Sequence, residues 1–171
     1  MELKKTEQAL EAFKKFVIQQ ARTRLSKERK NVSKELYNSL DAIIKVTPNA
    51  IQLNFEMEDY GLFVDKGVSG TQKKYNTPYS YKDKPPPPKK LEEWLNNRKF
   101  QFRDKKGRFM SYKSMSYIIS RSIYKKGIKP SLFFTKPFEQ GFKKLPEALA
   151  EKFALDIDDF LAYTLKEDRL R

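Results

Sequence analysis

Residues 111–134 read SYKSMSYIISRSIYKKGIKPSLFF. Apolar and small residues recur here at the spacing of one helical face, which predicts an amphipathic helix. We expect its buried face to comprise Met115, Ile118, Ile119, Ser122 and Ile123. Gly127 then stands where a helix C-cap favours a residue with positive φ, and Pro130 prevents the helix from continuing. Phe133 and Phe134 lie in an apolar run, so we expect a segment that plugs into the core after a tight turn.

The opposite face of this predicted helix is cationic and aromatic. Its members are Lys113, Tyr117, Arg121, Tyr124 and Lys125. A helix with one buried and one charged face is typical of an element that contacts a partner.

Charge is unevenly distributed along the chain. The formal net charge of the 171 residues is +14, from 36 Lys and Arg against 22 Asp and Glu. Residues 61–136 hold 19 cations against 5 acids, whereas residues 146–171 hold 4 cations against 7 acids. This balance favours binding to nucleic acid, to an acidic protein surface or to an anionic membrane. A basic middle and an acidic tail also suit head-to-tail binding of copies, and a solvated lysine-rich surface is the alternative.

The composition narrows the possible chemistry. The chain contains no Cys and no His, which excludes disulfides, zinc sites of the usual kind and Ser-His or Cys-His nucleophile pairs. Glu58, Asp59 and Asp65 are acidic neighbours, but they lack the further carboxylate and Lys expected of a nuclease, and we interpret them as capping and surface residues. We therefore predict no catalytic residue, no metal and no cofactor. We also expect no signal peptide and no membrane span.

Periodicity elsewhere predicts an α+β fold. Alternating apolar residues predict an antiparallel hairpin at about residues 41–57, with Thr47-Pro48-Asn49 as its turn. Helical patterns predict a first helix from Thr6 to about Arg29 and a last helix from Pro146. We expect a small antiparallel sheet, formed by this hairpin and short strands, to pack against several helices.

The segment 68–111 is predicted to contain a long loop, a short helix and a projecting β-hairpin. The loop is polar and ends in the stiff run Pro85–Pro88, and the hairpin has a cationic tip. Such a tip suits either a phosphate contact or a finger between subunits. The residues predicted to contact a partner or DNA are Lys73, Lys74, Arg103, Lys105, Lys106, Arg108, Lys113, Arg121 and Lys125.

A second group of residues is predicted to anchor the fold. Trp94 could anchor a partner, but Leu91 and Leu95 share its helical face and favour the core. The full set of predicted anchors is Tyr60, Phe63, Gly67, Trp94, Gly127, Pro130, Phe133 and Phe134.

Two short segments carry a resemblance to a known family. Residues 63–67 read FVDKG and residues 135–138 read TKPF. With the order of predicted elements, they resemble segments of the neck proteins of tailed bacteriophages, the head-to-tail connector or tail-completion family. Lys136 stands where Arg is common in that family, and the insertion 68–111 resembles the versions found in crAss-like phages.

The resemblance covers about residues 1–145 and implies a connector-like α+β domain there, with residues 146–171 as an acidic C-terminal helix outside it. It implies a structural virion protein without catalysis. Copies would form a ring, about twelve by expectation, between portal and tail, with packaged DNA passing through the lumen. Assembly would occur in the cytoplasm of the host bacterium and would involve no membrane.

Two other classes of protein compete with this expectation. The first is a small basic DNA-binding protein without catalysis, although the sequence lacks the spacing of a helix-turn-helix. The second is a metal-dependent nuclease, whose activity would depend on Asp59 or Asp65.

Overall fold

The computed structural model describes residues 3–28, 34–47 and 50–168. Over these ranges the chain forms seven helices and one two-stranded antiparallel sheet. The predicted α+β class, with a small sheet packed on helices, is confirmed. The elements in chain order are α1 Lys4–Lys27, α2 Glu35–Ser39, β1 Asp41–Thr47, β2 Ala50–Glu56, α3 Gly61–Lys66, α4 Pro88–Arg98, α5 Tyr112–Lys126, α6 Thr135–Phe142 and α7 Leu145–Asp168.

The hairpin lies where the alternating pattern predicts it. β1 and β2 pair from Asp41↔Glu56 to Thr47↔Ala50. Beside the turn that joins the two strands, the Thr47 hydroxyl donates to the Ala50 carbonyl at 2.8 Å. Pro48 and Asn49, the predicted turn residues, lie outside the described residues, as does Arg29, the predicted end of the first helix.

Contacts divide the described chain into two compact units. The first contains residues 3–23, 40–47, 50–56 and 134–168. The second contains residues 24–28, 34–39 and 57–133. α6, α7, the hairpin and most of α1 belong to the first unit, and α2 to α5 belong to the second.

An aromatic cluster closes the core of the first unit. Phe13 of α1 meets Phe138 of α6 edge to face at 5.6 Å between ring centroids. Phe55 of β2 meets Phe134 in the same way at 5.3 Å. Edge-to-face pairs of this kind stabilise the core beyond what the burial of their apolar surface contributes, because the positive edge of one ring faces the negative face of the other. The other members of the core are Leu10, Val17, Leu145, Leu149, Ile44, Ile51 and Leu53.

The N-terminus of α1 is capped from the far end of the chain. The buried carboxylate of Asp156 on α7 accepts from the Lys5 and Thr6 amides, at 3.0 and 2.9 Å, and from the Thr6 hydroxyl at 2.7 Å. The first amides of a helix have no partner within the helix, so a carboxylate there satisfies them and suits the helix dipole. Burial raises the pKa of Asp156, but the hydrogen bonds from Thr6 and Lys5 and the Lys5 charge outweigh it and hold the pKa below its ordinary value.

In the second unit α5 packs against α4, and its buried face matches the predicted one only in part: Met115 is buried as predicted, whereas Ile119, Ser122 and Ile123 are half-buried. Ser116, Ser120 and Met115 are the residues of α5 that are fully buried. Ile118, predicted to be buried, is 52% exposed, so that part of the prediction is wrong. The Ser120 hydroxyl donates to the Pro86 carbonyl at 2.6 Å. Small side chains let the proline segment and α4 approach the α5 backbone, which turns the larger Ile118 outward.

Candidate interaction surface

The C-terminal end of α5 is covered by the loop that follows α3. The amides of Thr71 and Gln72 donate at 2.9 Å to the carbonyls of Tyr124 and Lys125, and the Lys73 amide donates to Lys125 at 3.2 Å. The last carbonyls of a helix need partners from outside the helix, and this loop supplies them. As a result Lys73 and Lys125, predicted separately from sequence, lie beside each other and are both exposed.

Glycines allow the two backbones to come this close. Val68 and Ile128 exchange amide-to-carbonyl hydrogen bonds at 2.9 and 2.8 Å. Gly67 and Gly127 flank this pair, and both have φ of +73°. A Cβ on Gly67 would lie 2.6 Å from the nitrogen of Pro130, and a Cβ on Gly127 would collide with the Val68 carbonyl. Three of the predicted anchors, Gly67, Gly127 and Pro130, therefore meet at one junction.

Asp104 organises the tip of the predicted β-hairpin. Its carboxylate accepts from the Lys106 and Arg108 amides at 2.8 and 2.9 Å, and its second oxygen lies 3.1 Å from Arg108 Nε. The backbone hydrogen bond from Arg108 is the main cause that lowers the pKa of Asp104, and the Lys106 amide lowers it further. Desolvation raises this pKa, but by less than the Arg108 amide lowers it. An antiparallel β-bridge between Arg103 and Phe109 closes the base of the turn. The tip is thus an ordered turn built around one carboxylate.

The cations of this tip fall into two kinds. The Arg103 guanidinium lies 4.2 Å from the Phe109 ring centroid and donates to the Gly107 carbonyl at 2.9 Å. Arg108 is held by Asp104. Lys105 and Lys106 are exposed, and among the described residues no hydrogen bond or ion pair engages their ammonium groups. These two lysines are the cations of the tip that are available to a partner.

Exposed aromatic residues accompany these cations. Phe100 and Phe102 meet edge to face at 5.0 Å, and Arg98 lies 4.9 Å from the ring centroid of Trp94. We call residues 94–109 the arm. It contains six Lys or Arg residues, one Asp and four exposed aromatic residues. Trp, Phe and Arg in such density are typical of protein interfaces, and cations with aromatics are also typical of single-stranded nucleic acid sites.

Several predicted anchors lie at the surface instead of in the core. Tyr60 and Phe63 are 40% and 43% exposed, because α3 buries Gly61 and Asp65 while the Phe63 ring packs edge to face on Tyr79 of the loop at 4.6 Å. Trp94 is 38% exposed, and the neighbouring Leu95 is fully buried in its place.

The remaining predicted residues are placed as follows. Phe133 is fully buried in the second unit, and Phe134 packs against the core of the first, as predicted. Lys113 and Arg121 are exposed along α5. Lys74 is exposed in the loop, where Lys73 lies 5.4 Å from the ring centroid of Tyr75.

A second exposed face, on α7, was not singled out from the sequence as a surface. Acidic and apolar residues recur there at helical spacing, and all of them are exposed: Glu147, Glu151, Leu155, Asp158 and Leu161. We call these five residues the outer α7 face. The acidic composition of residues 146–171 indicates a charged surface on this helix. The leucines of the outer α7 face, however, look like core residues in the sequence, and only the structure shows that they lie on the exposed side of α7.

Two features are absent from the described residues, a metal-binding cluster and a membrane-spanning helix. These residues contain no group of three or more Asp, Glu, His or Cys residues placed to hold a metal ion. They also contain no helix that is both long and apolar enough to span a bilayer.

Comparisons with known proteins find no relative. No family model, no curated protein and no solved structure matches the chain.

Proposed function

We propose that this protein is a structural component of the neck of a tailed bacteriophage. Copies form a ring of about twelve subunits between portal and tail, join head to tail and surround the path of the DNA during ejection. Residues 1–145 are its connector-like domain and residues 146–171 its acidic C-terminal helix. The protein has no catalytic role, assembles in the cytoplasm of the host bacterium and remains in the virion.

One observation carries the proposal that the chain acts as part of an assembly. Both units leave large apolar side chains in water: Phe142 and Leu161 in the first unit are 51% and 50% exposed, and Phe109 in the second is 61% exposed. Single exposed apolar residues are ordinary, but many large ones beside charged groups mark surfaces that partners cover. The identity of the assembly rests on the resemblance of the sequence to neck proteins.

The two segments behind that resemblance both have structural roles. Residues 63–67 complete α3 and end in Gly67 at the glycine junction. Residues 135–138 open α6, where Pro137 is fully buried and Phe138 belongs to the aromatic core. Segments with such roles support a shared fold more strongly than exposed segments of the same length would.

The native mass of the purified full-length protein tests the proposal. We expect a closed ring of many copies at moderate protein concentration, visible by native mass spectrometry and by negative-stain electron microscopy. A discrete mass and ring-shaped particles are required together. A chain that remains a monomer, or that grows without closing, contradicts a free-standing ring.

A specific observation also favours a second function, which is non-catalytic DNA binding. Lys105 and Lys106 are available beside exposed aromatics, and Lys73 lies beside Lys125. Each phosphate that a cation neutralises releases counterions, so affinity falls linearly with the logarithm of salt concentration. If DNA binding is the function, Lys105→Ala/Lys106→Ala lowers that slope by about 2 in a fluorescence anisotropy titration of a short duplex. A slope unchanged by this substitution contradicts phosphate contact at the arm.

A further inference from the structure

We propose that the arm of one copy docks on the outer α7 face of a second copy. This inference rests on the proposed function and names the contact that would join neighbouring subunits of the ring. The two surfaces differ, so the contact is of the head-to-tail kind, in which each copy uses its arm on one neighbour and its α7 on the other.

Charge complementarity is the first support for this pairing. The arm holds six cations against one acid, whereas residues 147–161 of α7 hold five acids against one cation. Asp156 is buried at the cap of α1, so the exposed acids of the outer α7 face are Glu147, Glu151 and Asp158. Glu151 also lies 3.3 Å from Lys152 in an exposed ion pair, a weak contact that a partner can displace. Opposite charges of this kind fix register and speed association.

Apolar complementarity is the second support. The arm exposes Phe100, Phe102 and Phe109, and the outer α7 face exposes Leu155 and Leu161. Apolar residues surrounded by charges are the usual composition of a protein interface, with an apolar centre and a polar rim. Water is an unfavourable environment for all five side chains, and a second copy of this chain provides surfaces that suit them.

The chemistry of the tip favours a protein partner over nucleic acid. Arg103 and Arg108 are held within the tip by Gly107, Phe109 and Asp104. Two lysines therefore remain for contact, which suits two or three carboxylates on a helix better than the regular row of phosphates on a nucleic acid.

Charge reversal on each surface, followed by recombination, tests the contact. The arm variant is Lys105→Glu/Lys106→Glu, and the helix variant is Glu151→Lys/Asp158→Lys. We expect each variant alone to self-associate about 100-fold more weakly than the wild type, because like charges then face each other. We expect a chain that carries all four substitutions, or an equimolar mixture of the two variants, to recover association to within about tenfold.

Association is measured by sedimentation velocity of the full chain at about 50 mM and about 500 mM salt. The difference in self-association between the wild type and each charge-reversal variant is expected to shrink at high salt, because salt screens the charges. The matched control is Lys89→Glu/Lys90→Glu, which makes the same charge change on exposed residues of α4. This control is expected to associate like the wild type. Circular dichroism and Tm show that each variant remains folded.

The outcomes separate this contact from the ring itself. If the arm variant still forms closed rings, the contact is wrong and the ring stands. If the wild type forms open chains that both variants break and recombination restores, the contact stands and the ring is wrong. A wild type that stays monomeric at all concentrations overturns the contact, as does an arm variant that loses only binding to duplex DNA.

Discussion

Two glycines with similar φ angles have different surroundings, and this difference separates conformational strain from crowding. Gly127 has φ of +73° and faces the backbone of Val68 and Gly70, whereas Gly107 has φ of +77° and open space around its missing side chain. At the residue scale the close approach of two backbones therefore depends on Gly127, and the turn at the arm tip depends on Gly107 only for its conformation.

We expect Gly127→Ala to lower the free energy of unfolding by about 1–3 kcal/mol through strain at positive φ, with a further loss from the collision with Val68. The control Gly107→Ala retains only the conformational cost, of about 1 kcal/mol. Urea unfolding of both variants, compared at equal m-value, measures the difference. Equal losses would contradict the role of Gly127 in the close approach.

At the element scale, α7 is attached to α1 through one carboxylate as well as through the apolar core. Asp156 accepts three hydrogen bonds at the N-terminus of α1, and Lys5 also lies 2.7 Å from Asp159. The Asp159 pair is exposed and contributes little, whereas the buried Asp156 satisfies amides that have no other partner.

We expect Asp156→Asn to lower Tm at neutral pH by roughly 2–6 °C, the cost of a lost helix cap in a chain of this size. The folded-state pKa of Asp156 is lowered, so the stability that its charge provides is present above the unfolded-state pKa of about 4 and is lost as pH falls through the folded-state value. The difference in Tm between wild type and variant should therefore be constant above about pH 5 and shrink below about pH 4.

Thermal melts across this pH range check the prediction, with the exposed Asp83→Asn as control. A difference between wild type and Asp156→Asn that persists unchanged at low pH would show that the carboxylate charge is not responsible.

At the scale of the whole molecule, the sequence predicts class and elements better than it predicts which side chains are buried. The period-2 pattern locates β1 and β2, and Gly127 marks the end of α5. Such signals are local and depend on backbone chemistry. The burial of Ser116 and Ser120 in place of Ile118 depends on α4 and the proline segment, which lie far away in sequence.

The candidate surface shows the same division between local and distant information. The cations and the turn of the arm tip follow from the local sequence around Asp104 and Gly107. The local sequence does not predict that Arg103 and Arg108 are held by their neighbours, because these contacts depend on side-chain geometry in the folded turn. Nor does it predict the cap formed by Asp156, since its partners lie 150 and 151 residues away and no local pattern connects them.

That separation along the chain also determines when the first unit finishes folding during synthesis. Thr6 is translated about 150 residues before Asp156, which at roughly 5–20 residues per second is a delay of roughly 8–30 s. Through this interval the apolar side chains of α1 lack Phe138 and Leu149 as packing partners, and the N-terminus of α1 lacks its cap. α1, the first helix to be synthesised, therefore gains its cap and part of its core only when α7 has been made, and chaperones that bind exposed apolar surface have that interval in which to act.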